Sequence, residues 1–292
     1  MSNSRLFKLQ TGPLLRYLVP ILFIYSFTVL LPLLISIYFS LLNEAGTEFG
    51  GLHNYLSLAK DKDFWFSFKN NLIIVLFCVL GQVGIAFIIS SLFMSNKLRF
   101  SKFHRISIFL PVVLAPVVTG YLWSLVYNYR FGLLNGFLNL IHNKSVLWLD
   151  DPKYVLYTVS IPLIWQYIGL YLIIFLAGMQ NISKDVLESS EIDGASWFQK
   201  TVYVIFPLLK NVVRVALILC ITGTLKVFDH IYVMTGGGPG RSSMVMAQYA
   251  YNNAFTMNRL SYGSTISIGM LFLCAITILV LSKLFGGGGD NK

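Results

Sequence analysis

The sequence predicts an all-α polytopic membrane protein of six transmembrane helices, and three observations carry that expectation. Apolar residues make up 56% of the 292 and charged residues only 12%, with a mean hydropathy of +0.70, well away from soluble-domain averages. The apolar material runs through the whole chain and leaves no hydrophilic block large enough for a soluble domain. Long charge-free stretches recur, as expected if a charge at the bilayer centre costs about 2.5 to 3.5 kcal/mol.

Five such stretches lie between Arg16 and Glu44, Lys69 and Lys97, Arg105 and Arg130, Lys153 and Lys184, and Arg259 and Lys283. Each exceeds the ~20 residues needed to cross hydrocarbon. A sixth, between Arg214 and about Met234, is interrupted by Lys226, Asp229 and His230 and reads as a span with a polar patch. The first stretch is too long for a signal-peptide core and continues as PLLISIYFSLL where a small-residue cleavage site would stand, so it is expected to remain as helix one. Pro20, Pro32, Pro111, Pro116 and Pro162 fall inside spans, where neighbouring helices satisfy the backbone groups they free. Kinks around a cavity and ordinary kinks explain them equally.

Basic residues accumulate on the cytoplasmic side of membrane proteins, and the loop holding Lys97, Arg99, Lys102 and Arg105 has four bases and no acid. Placing it inside puts Arg5, Lys8, Arg16, Lys184, Lys200, Lys210, Arg214, Lys283 and Lys292 inside too. Thirteen bases then lie inside against eight outside, at Lys60, Lys62, Lys69, Arg130, Lys144, Lys153, Arg241 and Arg259. The layout expected is a cytoplasmic N-terminal segment over residues 1–16, a transmembrane domain over 17–285 with a cytoplasmic loop at 181–211, and a tail at 286–292. Both termini are then cytoplasmic.

The formal charge of +10 comes from bases that flank apolar segments, not from one patch interleaved with aromatics, so nucleic acid is not the expected partner. Cys78, Cys220 and Cys274 each sit in an apolar run without metal-ligand spacing and read as core residues.

The charged segment 185–207, DVLESSEIDGASWFQKTVYVIFP, lies between two apolar runs. Ser183 is placed to cap a short helix reaching about Glu191, Gly194 allows a turn without a Cβ penalty, and Ser196 is placed to cap a second helix ending before Pro207. The two helices, joined at the glycine, would project an acidic face of Glu188, Glu191 and Asp193 beyond the membrane. On spacing alone, a solvated surface loop accounts for the pattern equally well. Glu188-Ser189-Ser190, then Asp193-Gly194-Ala195, then Pro207, resembles the E-A-A-x-x-D-G-A loop, with proline twelve residues on, of ABC-transporter permeases. Serines replace the two alanines, Thr201 replaces the usual aromatic, and Asn211 replaces a frequent second proline. In that family the loop docks the transporter's ATPase. The resemblance implies ATPase-coupling roles for Leu187, Glu188, Ser189, Ser190, Asp193, Gly194, Ala195 and Pro207. ATP-driven closure of the ATPases would move the loop and switch the helices between inward-open and outward-open states.

A nucleotide site needs a glycine-rich loop followed by Lys-Ser/Thr, and Gly236-Gly237-Gly238-Pro239-Gly240-Arg241 lacks that spacing and a preceding strand. It reads as a turn, external or re-entrant. No cofactor is expected in this chain, with ATP and magnesium on a partner ATPase.

The stretch VFDHIYVMTGGGPG, 227–240, resembles the F-D-x-I-Y-x-x-T-x-G-G-P segment of carbohydrate permeases of the maltose and multiple-sugar type. Gly51-Leu52-His53-Asn54-Tyr55, Asp63-Phe64-Trp65 and Asn71 are similar to the external loop and second helix of the same permeases. The resemblance spans most of the chain and implies the type I ABC importer permease fold in a bacterial cytoplasmic membrane. It also implies a second homologous permease, two cytoplasmic ABC ATPase subunits, an extracytoplasmic sugar-binding protein and a carbohydrate substrate.

A sugar path needs hydrogen-bonding groups beside aromatic or apolar faces. Cys220, Thr224 and Val227 recur at helical spacing on the fifth helix; Gln166 and Leu170 share a face of the fourth, with Trp165, Tyr167 and Tyr171 adjacent. Gln166, Tyr167, Leu170, Cys220, Thr224 and Val227 align with positions lining the sugar pocket of the maltose-type permease. Trp165 joins them as a pathway residue. For any single residue, ordinary helix packing is an equal explanation. Lys226 and Asp229, three apart, are expected to pair as a structural clamp, and His230 to be a satisfied polar residue. A secondary carrier for a small polar solute is the alternative function, but coupling-ion ligands and internal symmetry are not evident. An intramembrane enzyme would need a nucleophile or paired-carboxylate constellation, which Asp229 and His230 alone do not supply.

Overall fold

The computed structural model describes residues 11–94, 101–142 and 144–286. Arg5, Lys8, Lys97, Arg99, Lys292 and the tail beyond Gly286 lie outside the described residues. The secondary structure is helical, with a single antiparallel bridge between Leu42 and Phe49 among the described residues.

Among the described residues, four helices are long and apolar enough to cross a membrane: Arg16–Ser40, Lys62–Met94, Val155–Gln180 and Leu260–Val280. These match the predicted spans one, two, four and six, although the second begins at Lys62 and carries Lys69 within its first turns. The third and fifth are bent pairs, making six if each pair counts as one span. Lys102–Val113 meets Pro116–Val126 at 103°. Proline explains this break: Pro116 has no N–H to continue the ladder, and it forces the preceding Ala115 into extended backbone at φ −63, ψ 136. Trp197–Leu208 meets Lys210–Leu225 at 78°. Here the helical run passes Pro207 by one residue before breaking at Leu209, so the expectation of an end before Pro207 is corrected.

The chain divides into two compact units. One comprises Met1–Lys60 with Ala250–Gly269. In it Ser40 Oγ lies 2.7 Å from Tyr55 Oη, and Thr265 Oγ1 donates to the Ser40 carbonyl at 3.2 Å, tying the end of the first span to the start of the last. Asn54 donates to the Leu42 carbonyl at 2.7 Å and fixes the intervening turn.

The other unit, Asp61–Tyr249 with Met270–Lys292, holds the main apolar core, including Ile74, Val159, Leu172, Phe175, Ala216 and Ile231. Its centre is the fourth span, 56% of whose apolar window is buried, against 0% for the first span. Close packing there depends on Gly169: a Cβ would come within 2.4 Å of the Ile108 carbonyl oxygen, so only glycine lets the third span approach. Pro162 interrupts the fourth span's ladder, and the Thr158 carbonyl four residues earlier accepts instead from Tyr127 Oη at 3.1 Å.

Candidate functional site

Where the second, fourth and fifth spans meet, a cavity of about 320 Å³ opens. Leu163, Tyr167, Leu170 and Tyr171 line it from the fourth span, Cys220 and Thr224 from the fifth, and Val227 to His230 from the segment beyond. Gln82 reaches it from a π turn, Val79–Gly84, in the second span. The wall mixes aromatic rings with hydroxyl, amide and imidazole groups, the composition that a polyhydroxylated ring requires.

Long-range hydrogen bonds hold Gln82 in this wall and the chain segments around it. Gln82 donates to the Leu163 carbonyl at 3.0 Å, while its oxygen accepts from Cys220 Sγ at 3.4 Å. Asn71, fully buried, donates to the Thr224 and Leu225 carbonyls at 3.4 and 3.2 Å and accepts from the Met246 N–H at 2.9 Å. One amide thus binds backbone groups at the end of one helix, Lys210–Leu225, and at the start of another, Met246–Tyr251. Neighbouring Asn70 donates to the Met244 carbonyl at 2.9 Å and holds the chain just after the glycine-rich turn. That turn takes positive φ at Gly236, Gly237 and Gly240 and leads to the helix Met246–Tyr251. Beside it Arg241 pairs with Asp63, whose hydrogen bond raises the guanidinium pKa above its ordinary value.

The cavity contains five of the seven residues assigned to the pathway: Tyr167, Leu170, Cys220, Thr224 and Val227. Trp165 and Gln166 do not line it. Trp165 is turned outward and packs edge-on against Trp123 at 5.9 Å. Gln166 is buried behind the wall, donating to the Leu114 carbonyl at 2.7 Å and facing His230 Nε2 with its oxygen at 2.7 Å.

The expected Lys226–Asp229 clamp is also corrected. The fifth span stops at Leu225, and Lys226 and Phe228 leave helical geometry at φ −98 and φ −136, so the two charged residues are not on one helix. No ion pair joins them among the described residues; both side the cavity, and a separate short helix, Asp229–Met234, follows. Gln82, Tyr171, Phe228 and His230 are among the lining residues that had not been assigned to it. Gln82 carried a readable signal, as an amide in the middle of the second apolar stretch, with glycines at 81 and 84.

The loop assigned to coupling forms a short helix, Lys184–Ile192, ended by Asp193 and Gly194. Gly194 N–H bonds to the Glu191 carbonyl at 3.0 Å and Ala195 N–H to that of Ser190 at 3.0 Å, the paired pattern of a glycine-terminated helix, with Gly194 at φ +77. Ser183 occupies the N-cap position without a side-chain cap bond, whereas Ser196 and Gln199 form a full capping box. Leu187 packs on the core and buried Ser190 bonds back to the Leu187 carbonyl at 2.6 Å. Glu188, Ser189, Asp193 and Gly194 are exposed, as is Ile192 at 86%. Thr201, in place of an aromatic, is buried and donates to the Trp197 carbonyl at 2.8 Å. Glu191 is bridged to Lys200 at 2.6 Å, which ties the two helices of the loop together.

Residues 11–287 match the family described as binding-protein-dependent transport system inner membrane component. The chain belongs to that family. It is 34% identical over 270 residues to a protein of Pyrococcus horikoshii described as a probable ABC transporter permease, covering 90% of this chain and 92% of that one. It is 30% identical over 273 residues to the trehalose/maltose transport system permease protein of Thermococcus litoralis, covering 90% of each. A crystal structure of a bacterial ABC transporter involved in import of the acidic polysaccharide alginate superposes with a TM-score of 0.85 over 96% of both chains, at 18% identity, which shows the fold. This chain is therefore a multi-pass membrane component of a transport system, and its all-α architecture is that of ABC importer permeases.

Proposed function

We propose that the chain is one of two permease subunits of an ATP-driven carbohydrate importer of a bacterial cytoplasmic membrane, with both termini cytoplasmic. Substrate arrives from an extracytoplasmic binding protein. ATP and magnesium act on two separate ATPase subunits, which dock on the exposed face of Lys184–Ile192 around Glu188 and Gly194. The observation that carries the carbohydrate reading is the cavity itself, whose aromatic and hydrogen-bonding lining suits sugar faces and hydroxyls together. The trehalose/maltose permease among its relatives supports the same substrate class.

Affinity purification of the chain from its native membrane in mild detergent, followed by mass spectrometry, tests the assembly. Recovery of an ATPase, a second permease of similar size and a sugar-binding protein is the expected result. Recovery of the chain alone, under conditions where a control transporter stays intact, would instead favour a secondary carrier.

A further inference from the structure

We infer that His230 serves as a hydrogen-bond acceptor for a substrate hydroxyl, and that Gln166 is the positioning residue that fixes its tautomer. This rests on the carbohydrate reading of the cavity. Gln166, behind the wall, and His230, in it, are exposed by only 1% and 2%. Gln166 faces the Leu114 carbonyl at 2.7 Å, at the break between the two halves of the third span. A carbonyl oxygen brings no proton, so the group facing it must be the amide NH₂. That choice turns Gln166 Oε1 toward His230 Nε2, 2.7 Å away.

An amide oxygen only accepts, so His230 Nε2 must carry the proton. In a neutral imidazole the other nitrogen, Nδ1, is then a bare acceptor. Nδ1 takes no hydrogen bond from the described residues, and His230 is one of the residues that line the cavity. The backbone of its short helix is supported by the third span, where Gly120 lies against His230 Cα: a Cβ there would be 3.6 Å from it. Tyr167, whose ring centroid is 6.5 Å from that of the imidazole, lines the same space with a hydroxyl able to donate. A sugar hydroxyl both donates and accepts, so a fixed acceptor beside a donor selects for it. An aliphatic or ether group offers no proton to Nδ1 and leaves that nitrogen desolvated without a partner.

Two substitutions separate the substrate role from a packing role. His230→Asn keeps an acceptor near the Nδ1 position but withdraws from Gln166, while His230→Gln reaches toward Gln166 and lacks that acceptor. In proteoliposomes containing the full transporter, uptake of radiolabelled maltose, trehalose and lactose is measured for each. We expect KM for a transported sugar to rise by about three- to tenfold in His230→Gln, the loss of one neutral hydrogen bond, and by less in His230→Asn. The reverse order would assign His230 to packing against Gln166 and overturn the acceptor role.

The tautomer is read independently on the ¹⁵N-histidine-labelled complex, with His230 assigned by its loss in His230→Asn. The expected state is Nε2-protonated, becoming a mixture of tautomers in Gln166→Leu. An Nδ1-protonated ring in the wild type would overturn the inference even if sugars are transported. Failure to transport any of the three sugars, with the tautomer as expected, would count against the carbohydrate reading and the acceptor role while leaving Gln166 as the positioning residue.

Discussion

The loop at residues 183–201 and the wall of the cavity are built on opposite plans. In the loop, most hydrogen bonds that define shape are local: Ser190 reaches back three residues, Ser196 and Gln199 close a capping box over three, and Lys200 reaches Glu191 over nine, while Trp197 Nε1 also donates to the distant Ser91 carbonyl at 3.4 Å. In the wall they span the chain, joining Gln166 to His230 over 64 residues, Gln82 to Cys220 over 138 and Asn71 to Met246 over 175. The loop presents its distinctive residues outward, on a helix whose ending one glycine sets. At the wall, Gln82, Gln166 and His230 are buried, and each is held by a partner that a distant element supplies. Local geometry thus shapes the surface that must meet another protein, and tertiary geometry shapes the space that must meet a solute.

The largest effect is expected at Gly194. Its φ of +77 lies in the left-handed region, while an added Cβ would have nothing within 4 Å, so the cost of substitution is backbone conformation and not a clash. A left-handed β-branched residue costs roughly 1 to 2 kcal/mol or more, enough to unwind the helix end that positions Glu188 and Ser189. Gly194→Val should therefore abolish uptake while membrane insertion, followed by protease protection, stays normal. Glu188→Lys should do the same by reversing charge on the exposed face, without altering the helix. Normal uptake in both variants would break the comparison, since the loop would then be an ordinary solvated turn.

On the cavity side, Asn71 gives the sharpest test. Asn71→Ala deprives the Met246 N–H and the Leu225 carbonyl of a buried partner and leaves the Thr224 carbonyl to the Val227 N–H, and leaving such groups unsatisfied costs about 1 to 3 kcal/mol. Asn71→Asp keeps an acceptor for Met246 but sets a carboxylate oxygen against two carbonyls, so it should be at least as damaging. Thermal unfolding of the detergent-purified transporter reads both. If Asn71→Asp melted like the wild type, the break after Leu225 would have to be held by something other than this amide, and the long-range plan of the wall would fail where it is best defined.

The same contrast explains what was legible in the sequence. The spans were, because exclusion of charge from hydrocarbon is a property of single residues and needs no partner. The glycine-ended helix of the loop was legible for a related reason, its cap being encoded by Gly194 and its immediate neighbours. The breaks were only half legible. Pro111 and Pro116 announced a disturbance, yet a proline alone does not distinguish a kink from the 103° turn observed. The fifth span was read through to Met234 because nothing in residues 210–234 reveals Asn71 waiting to take the Thr224 and Leu225 carbonyls. That error placed Lys226 and Asp229 on one helix. Gln166 was assigned to the cavity because its position shares a face with Leu170, but its side chain is drawn backward by the Leu114 carbonyl, an acceptor exposed only by the break in the third span. Periodicity identifies the face of a helix; it does not tell which polar side chain another element will claim.

The smallest effect is expected where the loop uses an ion pair. Glu191 and Lys200 are 2.6 Å apart, close enough to suggest a strong link, but the Glu191 side chain is 66% exposed and that of Lys200 17%. Solvent screens such a pair, and ordering two long side chains offsets much of the attraction, so exposed pairs are typically worth about 0.2 to 1 kcal/mol. A double-mutant cycle with Glu191→Gln and Lys200→Met should give a coupling energy in that range in thermal unfolding, diminishing as salt is raised. The capping box and the glycine termination remain intact in both variants, so the loop should keep its shape and uptake should fall far less than in Gly194→Val. A coupling energy well above this range, insensitive to salt, would mean that Lys200 is effectively desolvated by the Trp197 side of the loop, and the loop would then depend on a buried interaction much as the cavity wall does.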